Sequence, residues 1–127
     1  MEALLSGRAC ERLIIDYGAH NDASDWDAVV ALFTPDGRMS RPTAPDDFIE
    51  GRDAILAAFK SRPARTTRHI CANMRVDVTG DTATATSQIL LFTGHDAPKV
   101  GSYADKFVRT ADGWRFTERR GSLDFPV

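Results

Sequence analysis

Three histidines, two cysteines and two tyrosines are the scarce reactive residues of this 127-residue chain. His69 and Cys71 stand two apart in the alternating stretch His69-Ile70-Cys71-Ala72-Asn73-Met74-Arg75-Val76-Asp77-Val78. A strand there carries the imidazole and the thiol on one face. An imidazole titrates near neutral pH and can serve as general acid or base. Nothing near Cys71 in the sequence activates a thiol, which favours a small buried filler over a nucleophile. Tyr103 and Asp105 share a face of a later strand with Phe107 and Arg109. Asp105 either orients His69 or forms a cross-strand ion pair with Arg119 or Arg75, and the ion pair is the commoner arrangement. Arg41 either points inward, to hold a carboxylate or enolate in its donor fork, or outward beside Asp46 and Asp47, which the loop composition favours. His20 and His95 fall at a helix end and in a loop, so no metal site is expected. Cys10 and Cys71 are too few and too isolated for a disulfide framework.

The elements that must position these residues divide at Pro63. Before it the apolar period is helical. Leu4, Leu5, Leu13, Ile14 and Tyr17 predict an amphipathic helix over residues 3–20. His20-Asn21-Asp22-Ala23 interrupts it. Ser24 reads as the N-cap of a second helix bearing Trp26, Val29, Val30 and Phe33, with Asp25 and Asp27 in its first turn. Thr34-Pro35-Asp36-Gly37 ends that helix. Arg38-Met39-Ser40 and Phe48-Ile49-Glu50 read as short strands around a loop over residues 41–47. Gly51 opens a third helix with Ile55, Leu56 and Phe59 on one face. After Pro63 the period is two, predicting strands over residues 69–78, 82–92, 102–109 and 114–120. Thr79-Gly80-Asp81 and Ala111-Asp112-Gly113 read as tight turns. Helices followed by an antiparallel meander predict an α+β fold in one domain, residues 1–127.

Composition narrows the function classes. Hydrophobic residues make up 43% and charged residues 27%, as in a globular protein. The net charge is −2 and the signs are interspersed, so no nucleic-acid partner is expected. No apolar run approaches the ~20 residues that span a bilayer, so no membrane partner is expected either. The N-terminal stretch is broken by Glu2, Arg8, Glu11 and Arg12, unlike a signal peptide, and the expected location is cytoplasmic. No phosphate-cradling glycine motif follows a strand, and no cofactor is expected.

Several short motifs then fall in a recognisable order: Tyr17…Asp25-Trp26-Asp27-Ala28…Leu32-Phe33…Asp36-Gly37, Gly51-Arg52-Asp53-Ala54-Ile55, Arg68-His69, and Arg75-Val76-Asp77-Val78…Gly80-Asp81-Thr82-Ala83. Gly101-Ser102-Tyr103…Asp105 and Gly113-Trp114-Arg115 complete it. Over residues 8–120 the chain resembles the SnoaL-like branch of the nuclear-transport-factor-2-like, or cystatin-like, superfamily. That branch includes relatives of scytalone dehydratase and ketosteroid isomerase. The resemblance implies N-terminal helices packed on a strongly curved, mostly antiparallel sheet that forms a conical pocket. It also implies a homodimer through the convex sheet face, although the polar row Thr82, Thr84, Thr86 and Gln88 makes that face wet.

By resemblance to scytalone dehydratase, Asp22 and His69 match an aspartate–histidine acid/base pair. Ser87 stands where the dehydratase has a second histidine, and Asn21 and Arg41 where it has two tyrosines, so its machinery is at most half present and dehydration of that enzyme's own substrate is not expected. Tyr17 lies where ketosteroid isomerase places an oxyanion-binding tyrosine, but that enzyme's general-base aspartate aligns with Arg41, which cannot abstract a proton. The plainer reading of Tyr17 is a helix aromatic packed on the sheet. By the same resemblance Tyr103 lines the pocket. The implied activity is a cofactor-independent lyase or isomerase acting on a small apolar carbonyl or polycyclic compound. Tyr17, Tyr103 or Asn73 would hold an oxygen, and Arg41, Cys71, Ser87 and Asp105 would complete the wall. The alternative is a non-catalytic ligand-binding or assembly subunit resembling the small subunit of ring-hydroxylating dioxygenases.

Overall fold

Hydrophobic spacing sets the elements of the computed structural model, which describes residues 1–125. Helix α1 spans Glu2–Asp22, α2 Trp26–Ala31 and α3 Arg52–Lys60. The strands are β1 Phe33–Arg41, β2 Ala44–Glu50, β3 Arg68–Thr79, β4 Thr82–Phe92, β5 Lys99–Thr110 and β6 Gly113–Leu123. They form one sheet in the order β2-β1-β6-β5-β4-β3, antiparallel throughout except between β1 and β6. This is the expected α+β class, a curved and mostly antiparallel sheet with the helices packed against it. No helix among the described residues is long and apolar enough to cross a membrane.

Helix α1 buries Cys10, Leu13, Ile14, Tyr17, Gly18 and Asn21, a stripe at spacings of three and four. Leu4 and Leu5, expected on that stripe, are 66% and 62% exposed, because the buried face opens only at Ser6. Helix α2 is capped by Asp25, whose Oδ1 accepts the Ala28 N–H at 3.2 Å, not by Ser24. Ser24 occupies a left-handed turn (φ 54°) after α1.

The largest departure from the sequence reading lies between residues 34 and 50. Thr34-Pro35-Asp36-Gly37 belongs to β1, and the expected loop contains the β1–β2 hairpin, in which Arg41 faces Ala44. β2 lies at the sheet edge, where Pro45 owes no ladder hydrogen bond. Gly37 sits at an irregularity in the β1–β6 register, where a Cβ would come within 3.1 Å of the Phe116 carbonyl oxygen.

The four C-terminal strands follow the period-two pattern. β4 turns Ala83, Ala85, Ser87 and Ile89 to the core and leaves Thr82, Thr84, Thr86 and Gln88 exposed. β3 has one extra residue: its register with β4 shifts between Ala72 and Arg75, and Asn73 is left-handed (φ 52°), a conformation Asn tolerates. Before the bulge His69 and Cys71 are sheltered; after it Met74, Val76 and Val78 are. The core centres on Tyr17, whose ring meets Phe33, Phe59, Tyr103 and Phe116 edge-on, with centroids 6.0–6.4 Å apart. Burying an aromatic of this kind stabilises the fold by about 1.5–3 kcal/mol. Trp26 stacks on Phe59 at 5.0 Å and fixes α2 on α3.

Candidate active site

Asp22 ends α1 and His69 is the second residue of β3. They meet because Gly18 lets the helix lie close to the strand: a Cβ on Gly18 would be 3.2 Å from the His69 Cβ and 3.4 Å from the Cys71 sulfur. Asp22 Oδ1 lies 2.5 Å from His69 Nδ1. The same carboxylate accepts the Thr67 hydroxyl at 2.9 Å and the His69 backbone N–H at 2.9 Å. Three donors therefore fix the carboxylate. The two side chains are only 15% and 11% exposed. An ionised carboxylate only accepts, so Nδ1 carries the proton and Nε2 is the nitrogen left for a ligand.

His69 lines a cleft of about 120 Å³ together with Tyr17, Ile89, Leu91 and Tyr103. Its rim and remaining wall include Asn21, Arg41, Arg62, Arg65 and Lys99. An adjoining cleft under Trp26 shares Asn21, Arg62, Arg65 and His69, so the imidazole stands where the two meet. Asn21 donates to the Tyr17 carbonyl at 3.0 Å, one turn back along α1.

Behind the tyrosines lies a buried charge pair. Arg119 and Asp105 are 1% and 2% exposed, with Nε and Oδ1 3.2 Å apart. The guanidinium carbon sits 3.7 Å from the Tyr103 ring centroid and 4.3 Å from that of Tyr17, a cation–π arrangement on two faces. Burial pushes the Asp105 carboxyl up to about 6, against the pull of Arg119. Burial also raises both phenols, which are neutral donors. Among the described residues the Tyr17 hydroxyl reaches only the Met39 sulfur, at 3.7 Å.

The structure thus brings Asp22, His69, Tyr17, Arg41 and Tyr103 together. Arg41 corrects the outward expectation: it lines the cleft and donates from Nη2 to the Ala58 carbonyl at 3.2 Å, while Asp46 pairs with Arg120 at 2.9 Å. Four expected wall residues lie elsewhere. Cys71 faces α1, its thiol 3.8 Å from the Ile14 carbonyl, and burial raises its pKa. Asn73 is exposed within the bulge itself and donates to the Gln88 side-chain carbonyl at 2.5 Å. Ser87 is buried on the inner face of β4 and does not line the cleft, its hydroxyl without a partner among the described residues. Asp105 pairs with Arg119 and does not orient His69. Sequence reasoning missed Thr67, Arg62, Arg65 and Lys99. Thr67 carried a signal, since it lies two residues before His69; the three cations carried none.

Residues 2–120 match the SnoaL-like domain. An uncharacterised protein of Mycobacterium tuberculosis is 30% identical over 120 residues, covering 86% of this chain and 79% of its own length. Among solved structures, a nuclear-transport-factor-2-like protein with a cystatin-like fold from Novosphingobium aromaticivorans superposes with a TM-score of 0.87 at 27% identity. It covers 98% of this chain and 85% of its own. A candidate scytalone dehydratase from the same organism has a TM-score of 0.80 at 28% identity, covering 98% and 90%. With sequence, sheet order and helix placement in agreement over nearly its whole length, the chain belongs to the SnoaL-like domain family.

Proposed function

We propose that the protein is a cofactor-independent lyase or isomerase in which Asp22 and His69 move a proton on a small apolar or aromatic carbonyl compound. The observation that carries this reading is the 2.5 Å contact between His69 Nδ1 and Asp22 at the wall of the cleft. Its likeness to a candidate dehydratase supports it. Nε2 takes a proton from the carbon beside the carbonyl, and the electron pair moves onto the carbonyl oxygen as an enolate. Asp22 keeps the tautomer fixed and stabilises the imidazolium. Return of the proton to another carbon completes an isomerisation; its delivery to a departing hydroxyl releases water and completes a dehydration. Tyr103, a neutral donor in the wall, would hold the enolate oxygen.

The test is proton exchange. A panel of enolisable ketones and hydroxylated aromatics is incubated in D₂O and loss of C–H signal is followed by NMR. The wild type exchanges at least one class, and His69→Ala and Asp22→Asn each slow that exchange by about 10²–10⁴-fold. Equal exchange in the wild type and His69→Ala overturns the assignment.

We also propose a homodimer through the outer sheet face, on which Ile70 is 50% exposed beside the polar row of β4. Light scattering on the purified protein decides this, and a monomeric mass at all concentrations removes it.

A further inference from the structure

Among the described residues the cleft carries an excess of positive charge. Arg41, Arg62, Arg65 and Lys99 all line it, and no carboxylate of the described residues does; Asp22 stands behind His69 with three donors already on it. Elsewhere Arg12, Arg38, Lys106, Arg109, Arg119 and Arg120 each sit within 4.0 Å of a carboxylate, whereas Arg8, Arg52, Lys60, Arg68, Arg75 and Arg115 are scattered over other parts of the chain and, among the described residues, do not. The four cleft cations form no such pair among the described residues. Arg41 spends one N–H on the Ala58 carbonyl, and its Nε is buried with no partner among the described residues. Arg62 lies over the Phe59 ring at 4.8 Å, which steadies its guanidinium beside the cleft it lines. Burial lowers the Arg62 pKa, and repulsion from Arg41 and Arg65 lowers it further, as expected of like charges gathered in one place.

The inner wall is different in kind. Tyr17, Ile89, Leu91, Tyr103 and Leu123 make an apolar slot. A cavity of roughly 150 Å³ holds a benzene ring, and the whole cleft, cationic part included, is about 120 Å³. Cations beside an apolar wall in a cleft of this small size are complementary to a small molecule with a negative end and a flat apolar end.

We infer that the cleft takes a small aromatic or enolisable carboxylate, its anionic group held by Arg41 and Arg62 at the rim and its ring or chain in the slot beside His69. Arginine suits this role because its planar fork matches a carboxylate. The cations also favour the second negative charge that develops when a proton leaves the carbon next to a carboxylate or its conjugated carbonyl. The inference deepens the acid/base reading and rests on the same cleft, but its binding step does not need the imidazole.

Two isosteric probes separate charge from shape: benzoate and benzamide, titrated into the intact protein and followed by NMR. Benzoate binds at least about tenfold tighter than benzamide at low salt, and the gap narrows in ~1 M NaCl as screening shortens the field. Arg62→Gln and Lys99→Gln weaken benzoate severalfold and leave benzamide unchanged; Lys99 makes no side-chain hydrogen bond or ion pair among the described residues, so its variant controls for any loss of the Arg62–Phe59 contact. His69→Ala keeps the preference for benzoate while losing proton exchange. Equal affinity for the two probes, or no binding of either, overturns the inference, and proton exchange retained in that case leaves the acid/base reading standing.

Discussion

Gly18 and His69 lie closely against one another: a Cβ at position 18 would come within 3.2 Å of the His69 Cβ, tighter than an ordinary van der Waals contact. The absent side chain is what lets α1 settle on β3, so that Asp22, one turn further along, reaches the imidazole. Replacing a helical glycine by alanine ordinarily gains up to about 1 kcal/mol. Here the tight contact offsets that gain, and Gly18→Val, which adds bulk against the His69 and Cys71 side chains, costs about 1–3 kcal/mol. Urea denaturation measures the loss, and His69 ring resonances shift with it. A Gly18→Val protein as stable as the wild type removes the packing argument.

Thr67 gives its hydroxyl to Asp22 at 2.9 Å and is itself buried. Thr67→Val keeps the shape and loses that bond, which costs about 1 kcal/mol. If the hydroxyl also positions the carboxylate, proton exchange falls while ligand affinity stays level. Exchange at the wild-type rate would confine Thr67 to a structural role.

The Asp105 carboxyl is held up at about 6 by burial, above the ~3.9 expected in the unfolded chain. Between those values the folded state keeps a proton that the unfolded state has lost. Its contribution to stability is therefore full below about pH 4 and is lost as the pH rises through about 6. Asp105→Asn lacks this titration. The stability of the wild type relative to Asp105→Asn should rise by a few kcal/mol between pH 7 and pH 4. Denaturation midpoints of the two proteins over that range provide the check, and a flat difference counts against a raised carboxyl.

Tyr17 separates its ring from its hydroxyl. The ring meets four aromatics, whereas the hydroxyl donates to the Met39 sulfur. Tyr17→Phe should stay within about 1 kcal/mol of the wild type, and Tyr17→Ala should lose about 3–5 kcal/mol. If Tyr17→Phe also abolishes proton exchange, the phenol donates to the substrate in addition to filling the core.

The C-terminal half of the fold was legible because four strands alternate cleanly and Gly80 (φ 61°) and Gly113 (φ 113°) mark their turns. Residues 34–50 were not, because Pro35, Pro42 and Pro45 read as loop, and only the sheet edge makes Pro45 acceptable in a strand. The Asp22–His69 pair came through the family resemblance, not through spacing. Arg41 was misjudged because Asp46 and Asp47 are its near neighbours in sequence, whereas Arg120, brought in by β6, takes Asp46. The cationic rim had no local signature at all. Arg41 ends β1, Arg62 and Arg65 lie between α3 and β3, and Lys99 begins β5, so only the sheet topology collects them.

The extra residue in β3 acts as a one-residue frameshift. Counted back from Val78 without it, the inward positions would be Val76, Met74, Ala72 and Ile70, and His69 would look out into solvent. Asn73 therefore decides which letters of the strand reach Asp22, though it touches none of them. A β-branched residue at that left-handed position, by straightening the strand, would exchange an imidazole for an isoleucine at the heart of the molecule instead of merely loosening an edge.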